Sequence, residues 1–100
     1  MLDFSQLGFD WDGGNGSKSL EKHGVDQQEA EQVFLDPYVL ILVDDKHSAD
    51  EPRFHAYGKT AAGRRLHISF TLRRNETCIR VISARNMSRK ERARYEQEEA

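Results

Sequence analysis

The spacing of apolar side chains changes once along the chain, at Pro37. Before it, Ala30, Val33 and Phe34 recur at helical spacing and form one apolar stripe. After it, the spacing is two: in residues 65–72, apolar and polar side chains alternate without interruption. The pattern therefore predicts a helical segment first and a sheet after it.

Two short helices are predicted before Pro37 from their end residues. Asn15 or Ser17 can cap the first helix, and Gly24 suits the left-handed position that ends it. The second helix begins with a capping box formed by Asp26 and Glu29. Both helices are expected to pack on one side of the sheet.

Five strands are predicted, four of them after Pro37. They are a short edge strand over 9–12, then strands over 38–43, 53–58, 65–72 and 77–84. Residues 38–43 are almost all apolar, which favours a well-buried strand. The links between the four later strands are short and therefore require antiparallel pairing. The order predicts an α+β fold, with two N-terminal helices, a four-stranded antiparallel sheet plus the edge strand, and a C-terminal helix.

The C-terminal helix is the least certain to dock, because it is so polar. Ser88 and Glu91 form a second capping box that opens it. Only Met87, Ala93 and Tyr95 are available for burial. We expect this helix to be solvated, mobile or held by a partner.

Length and composition favour one cytoplasmic domain over residues 1–100. A chain of 100 residues has room for a single core. The longest apolar run, residues 38–43, is too short to span a bilayer, and the N-terminus lacks a secretory pattern. Cys78 is the only cysteine, which fits a reducing compartment.

Charge is distributed unevenly along the chain. Residues 1–52 carry three Lys/Arg and twelve Asp/Glu, a net charge of −9, whereas residues 53–94 carry twelve Lys/Arg and two Glu, a net charge of +10. Such asymmetry is typical of a polyanion-binding half. Mutual neutralisation of the two halves across the folded domain explains it equally well, and both can hold at once.

Alternation places a set of cationic and imidazole side chains on the polar side of the sheet. The set consists of Arg53, His55, Arg65, His67 and Arg80. It could bind phosphate, or it could be an ordinary solvated face. Arg85 ends the last strand, ahead of a basic helix that carries Arg89, Lys90, Arg92 and Arg94. The loop 44–51 matches neither an EF-hand nor a two-His zinc pattern, so neither a metal site nor a cofactor is predicted.

Four stretches of the chain resemble the BrnT family of bacterial toxins, whose fold is related to RelE. They are FDWD (9–12), KHGV followed by EAEQVF (22–34), HSADEPRFHAYG (47–58) and RVISARNMSRKERARYE (80–96). The resemblance covers nearly the whole chain. Asn15 and Ser19 depart from it, because family members usually carry Lys and Asn at these positions.

The resemblance implies a ribonuclease toxin that inhibits translation. Its partner would be a BrnA-like antitoxin with a ribbon-helix-helix domain, and operator DNA would be bound only through that antitoxin. A toxin dimer within the complex is a further alternative. Cleavage would need no metal, because the ribose 2′-hydroxyl attacks the adjacent phosphate, with RNA as the substrate.

That chemistry requires a proton acceptor, cations for the phosphate and a proton donor. The resemblance implies Arg53, Arg80 and Arg85 as the cations, Glu51 or His23 as the base, and His23 or Lys22 as the acid. Further RNA contacts are expected from Lys22, His55, Arg65, His67, Arg89 and Arg92. For His23, a role in capping or packing at the helix end is the alternative. A non-catalytic antitoxin-binding or nucleic-acid-binding module is the alternative function.

Overall fold

A computed structural model of the chain describes residues 3–47 and 51–100, and its elements follow the predicted order. They are β1 (Gly8–Phe9), α1 (Lys18–His23), α2 (Gln27–Val33), β2 (Leu40–Val43), β3 (Arg53–Lys59), β4 (Arg65–Arg73), β5 (Cys78–Asn86) and α3 (Arg89–Glu99), with unpredicted 3-10 turns at Phe4–Gln6 and Asp45–His47. The strands form one sheet in the order β1-β5-β4-β3-β2. The predicted α+β class is confirmed.

The two edge strands differ from their predictions. β1 pairs parallel to β5. It is shorter than expected, because the chain already turns at Asp12, whose carboxylate accepts from the Gly14 amide. β2 pairs only with β3, and 60% of Val43 is exposed. The Tyr38 amide donates to the Asp36 side chain and lies outside the strand. The prediction of a well-buried strand over residues 38–43 is therefore wrong.

The ends of α1 and α2 agree with the sequence prediction except at the N-terminus of α1. Gly24 has φ +68 and ends α1 in the left-handed conformation. Asp26 and Glu29 form both hydrogen bonds of the predicted capping box of α2. Ser17 holds the N-cap position of α1, but its hydroxyl donates to Glu21 instead of capping the helix.

Asn15 is buried and does not cap α1. Its side-chain amide donates to the carbonyls of Asp10, at 3.0 Å, and Val81, at 2.9 Å. Its Oδ1 accepts from the Asp12 amide at 2.9 Å. Asn15 therefore fixes the turn after β1 to the edge of β5.

The core lies between α1, α2 and one side of the sheet. β4 contributes Leu66, Ile68 and Phe70, all fully buried. A β-bulge in β5 lies opposite Ser69 and Phe70. It allows both Val81 and Ala84 to face the core although they are three residues apart.

The helix α3 is anchored to the sheet by one tyrosine. Tyr95 is fully buried, and its hydroxyl donates to Asp36 Oδ2, which also accepts from the Lys59 amide at 2.7 Å. Lys59 Nζ lies 2.5 Å from Glu99 near the end of the helix. Within this chain, the expectation that α3 is solvated or mobile is therefore wrong. None of the helices in the two described ranges is long and apolar enough to cross a membrane.

Replacing the Tyr95 anchor should destabilise the protein in two graded steps. Tyr95→Ala is expected to lower the free energy of unfolding by about 3–5 kcal/mol, because it removes a buried ring. Tyr95→Phe should cost about 1–3 kcal/mol, because it leaves Asp36 with an unmet hydrogen bond. Urea unfolding followed by circular dichroism measures both. Gln97→Ala, on an exposed site of the same helix, is the control, and equal stability of all three variants would contradict the anchor.

Candidate functional site

The side of the sheet that carries the polar alternate residues, here called the polar face, is ordered in rows across β3, β4 and β5. The rows are Arg53, Thr71 and Arg80; His55, Ser69 and Ser83; and Tyr57, His67 and Arg85. Arg65 lies on the same face opposite Lys59. The register thus places the five predicted residues on one face.

A hydrogen-bonded pair of histidines lies in the middle of the polar face. His55 Nδ1 is 2.7 Å from His67 Nε2, and His55 Nε2 is 3.0 Å from Asp44 Oδ2. A carboxylate only accepts hydrogen bonds, so His55 donates from Nε2 to Asp44. In the bond between His55 Nδ1 and His67 Nε2, one ring donates and the other accepts.

His67 is the less accessible of the two imidazoles, with 8% of its surface exposed. Its ring stacks on Tyr57 at 4.6 Å, and its Nδ1 lies 3.5 Å from Glu91 Oε2. Burial, followed by the nearby Arg85 guanidinium, lowers the pKa of His67 to about 4. His67 is therefore neutral near pH 7.

Arg85 and Glu91 form a two-bond ion pair beside His67. Both nitrogen–oxygen distances are 2.9 Å. Burial alone would raise the pKa of Glu91, but the Arg85 hydrogen bonds and the Ser88 amide outweigh it and lower that pKa to about 2. Ser88 and Glu91 also complete the capping box predicted for α3. The Arg85 guanidinium is thus bound to a carboxylate of the protein itself.

The opposite end of the polar face holds the other predicted cations. Arg80 binds both Asp12 oxygens at 3.0 Å, and this hydrogen-bonded pair lowers the pKa of Asp12. Glu51 precedes β3 and binds Arg73 at 3.1 Å. Arg53 and Arg80 share the row of Thr71. Arg85 lies on β5 in the row of His67, which is four residues from Thr71 along β4, or about 13 Å. The structure therefore brings Arg53 and Arg80 to the same end but not Arg85.

Lys22 and His23 lie in the last turn of α1, and Lys22 is exposed. The His23 and Gly24 carbonyls accept from Arg64 at 3.3 and 2.8 Å. Within the described ranges, no contact joins the His23 imidazole to Glu51 or to the paired histidines. Its placement thus agrees with the role at the helix end, and its catalytic role stays a prediction.

The remaining predicted RNA contacts are spread over α3 and its neighbours. Arg65 lies 3.8 Å from Glu96 and 3.9 Å from Glu99. Arg89 and Arg92 are exposed on α3. In residues 3–47 and 51–100, no three His, Cys, Asp or Glu side chains are arranged to hold a metal ion. Part of the loop 44–51 lies outside the described residues.

Sequence reasoning missed Arg64, Asp44 and the second role of Glu91. Arg64 also binds Glu29 at 3.0 Å, so that it joins the ends of α1 and α2. None of these contacts has a sequence signal, because each joins residues that only the fold brings together. For Glu91 the capping-box pattern was visible, but its contact with Arg85 was not.

A known protein family matches most of the chain. The family described as "Ribonuclease toxin, BrnT, of type II toxin-antitoxin system" matches residues 11–91. The chain belongs to this family. The match covers both ends of the polar face and stops at Glu91, so the later part of α3 lies beyond it.

A solved structure shows the same fold. The crystal structure of the Brucella abortus ribonuclease toxin BrnT is 23% identical in sequence to this BrnT-family chain and superposes with a TM-score of 0.63. The alignment covers 83% of this chain and 99% of the Brucella protein. A search among curated proteins found no significant match.

The low pKa of His67 predicts a loss of stability in mild acid. Below about pH 6.5 the unfolded chain binds a proton that the folded chain, with the His67 pKa near 4, does not. His67 faces His55 and Tyr57 on β3, Arg85 on β5 and Glu91 on α3. We expect a loss of about 1–2 kcal/mol from this residue between pH 7.5 and pH 5.

Urea midpoints at the two pH values test this. His67→Gln should reduce the pH-dependent loss by about that amount, and Gln97→Ala, at an exposed site without a titratable group, should leave it unchanged. The assignment is wrong if His67→Gln loses as much stability in acid as the unmodified protein.

Proposed function

We propose that this BrnT-family ribonuclease toxin is a metal-independent endoribonuclease that cuts RNA through its own 2′-hydroxyl and thereby inhibits translation. The observation that supports it is the row of Arg53, Thr71 and Arg80, with Glu51 one row beyond it. A carboxylate and two guanidinium groups then meet at one end of a rigid sheet. Metal-free cleavage of RNA requires a base for the 2′-hydroxyl proton and cations that stabilise the charge on the phosphate.

In this proposal the phosphate lies between Arg53 and Arg80. Glu51 accepts the proton of the 2′-hydroxyl, whose oxygen bonds to phosphorus while the bond from phosphorus to the 5′ oxygen breaks. The products are a 2′,3′-cyclic phosphate and a free 5′-hydroxyl. Arg80 has donors to spare, because guanidinium has five N–H groups and the pair with Asp12 occupies only some of them.

The leaving 5′ oxygen needs a proton donor, and two imidazoles are candidates. His55 lies two residues from Arg53 on the same side of β3, about 7 Å along the strand. His23 lies on α1 and has no described contact with this end of the polar face. Both ring nitrogens of His55 already face other groups, Nε2 facing Asp44 and Nδ1 facing His67, so we keep His23 or Lys22 as the donor that the resemblance implies.

Membership in a type II toxin–antitoxin family implies an antitoxin partner. We propose that this partner is a BrnA-like protein with a ribbon-helix-helix domain, which neutralises the toxin and supplies the DNA contacts of the complex. Expression of the chain alone should then stop growth, and expression together with the antitoxin should restore it.

One observation favours the alternative of a non-catalytic binding module. Arg80 and Arg85 are both paired with carboxylates of the protein itself, which reduces the positive charge open to RNA. A module of this kind would bind the antitoxin but leave both growth and RNA unaffected.

Cleavage of RNA in excess EDTA separates the two functions. Glu51→Gln should lower kcat about 10²–10⁴-fold, because it removes the base. Arg53→Ala should lower kcat about 10²–10³-fold, because it removes a phosphate cation. Glu98→Gln and Lys18→Ala, both at exposed sites, are the matched controls. Full activity of Glu51→Gln, or no cleavage by the unmodified protein with EDTA, would reject the mechanism.

A further inference from the structure

A cavity of about 310 Å³ lies between the start of α3 and the polar face, away from Glu51 and Arg53. Its lining consists of Leu42, Tyr57, Ser88, Lys90, Glu91 and Arg94. One wall is therefore the sheet, and the other is the first two turns of α3. Since the Tyr95 anchor and the Arg85–Glu91 pair hold that helix in place, the cavity is part of the folded domain.

The sheet wall suits a flat aromatic ligand. Tyr57 is backed by the His67 ring, stacked at 4.6 Å with an interplanar angle of 15°. Burial raises the pKa of Tyr57, so its phenol is neutral at physiological pH. Leu42 adds an apolar surface beside it. Nucleobases stack on aromatic surfaces of this kind with little dependence on which base is present.

The helical wall supplies positive charge that the protein does not neutralise. Lys90 and Arg94 are four residues apart, so they lie on the same side of α3. Within the described ranges, neither side chain forms a hydrogen bond or an ion pair. The carboxylate that lines the cavity, Glu91, is held by Arg85 and is not available to either of them. Such a pair of cations is suited to phosphate.

We propose that this cavity binds one nucleotide of the RNA, with its base against Tyr57 and Leu42 and its phosphate against Lys90 and Arg94. The inference rests on the proposed ribonuclease function and adds a substrate subsite to it. Tyr57 lies four residues along β3 from Arg53, about 13 Å. The bound nucleotide therefore lies near the phosphate that is cut but is not the nucleotide that carries it, and it strengthens the binding of RNA.

The cations on α3 allow two double variants of the same helix to be compared. Arg89 and Arg92 lie on the same helix and were expected to bind RNA from the sequence, yet they do not line the cavity. If the cavity is the subsite, a double substitution at Lys90 and Arg94 must weaken RNA binding more than the same change at Arg89 and Arg92. If only the general charge of the helix matters, the two double variants behave alike.

Binding is measured by fluorescence anisotropy with a short 2′-O-methyl RNA, which lacks the attacking hydroxyl and cannot be cut. Tyr57→Leu should weaken binding about tenfold, and Tyr57→Phe should restore it, because the phenyl ring still stacks. Lys90→Ala with Arg94→Ala should weaken binding at least tenfold, and Lys18→Ala, an exposed lysine on α1, should have little effect. The KM for a long RNA should rise in Tyr57→Leu.

The outcomes separate this subsite from the ribonuclease proposal. Binding of the analogue through Tyr57, Lys90 and Arg94 without any RNA cleavage would reject the proposed function but keep the subsite. Normal cleavage, with unchanged KM in both the Tyr57→Leu and the Lys90/Arg94 variants, would reject the subsite alone. Should Tyr57→Leu fail to fold, the double variant at the exposed Lys90 and Arg94 tests the subsite instead. Equal losses of RNA affinity in this variant and in the Arg89/Arg92 variant would also reject the subsite.

Discussion

The fold depends on the burial of β4 from both sides by different kinds of side chain. One side carries Leu66, Ile68 and Phe70, which are fully buried in the core. On the other, His67 and Thr71 are 8% and 1% exposed, so the polar face is not an ordinary solvated surface. Buried polar groups are stabilised by hydrogen bonds, and His67 meets this need at Nε2 through His55, whereas its Nδ1 has no hydrogen-bond partner among the described residues.

Local sequence signals predicted most of the fold. The capping boxes at Asp26 and Ser88 and the alternation in β4 each depend on neighbours in the chain, and all three appear in the structure. The anchoring of α3 could not be predicted, because Tyr95 meets Asp36 across 59 residues. The placement of the candidate cations was predicted only in part, since alternation assigns a face but not a position along it.

Ion pairs between the acidic and the basic half of the chain explain much of the uneven charge distribution. Carboxylates of the acidic half bind cations of the basic half in the pairs Asp12–Arg80, Glu29–Arg64 and Glu51–Arg73. Mutual neutralisation therefore holds at the N-terminal turn, at the helix junction and beside β3. Among the cations of residues 53–94, those without an ion pair in the described ranges lie largely on α3.

The two departures from the BrnT-family pattern also serve the fold. Asn15 replaces a charged side chain with an amide that joins two carbonyls, and the Ser19 hydroxyl accepts from the Ala84 amide at 2.8 Å. Both contacts attach the segment before α2 to the edge of β5, next to the bulge. A lysine could donate but not accept there, so the Asp12 amide would lose its partner. These contacts fix the edge of β5 beside Arg80, which Asp12 binds through both carboxylate oxygens and which lies 3.5 Å from Asp10.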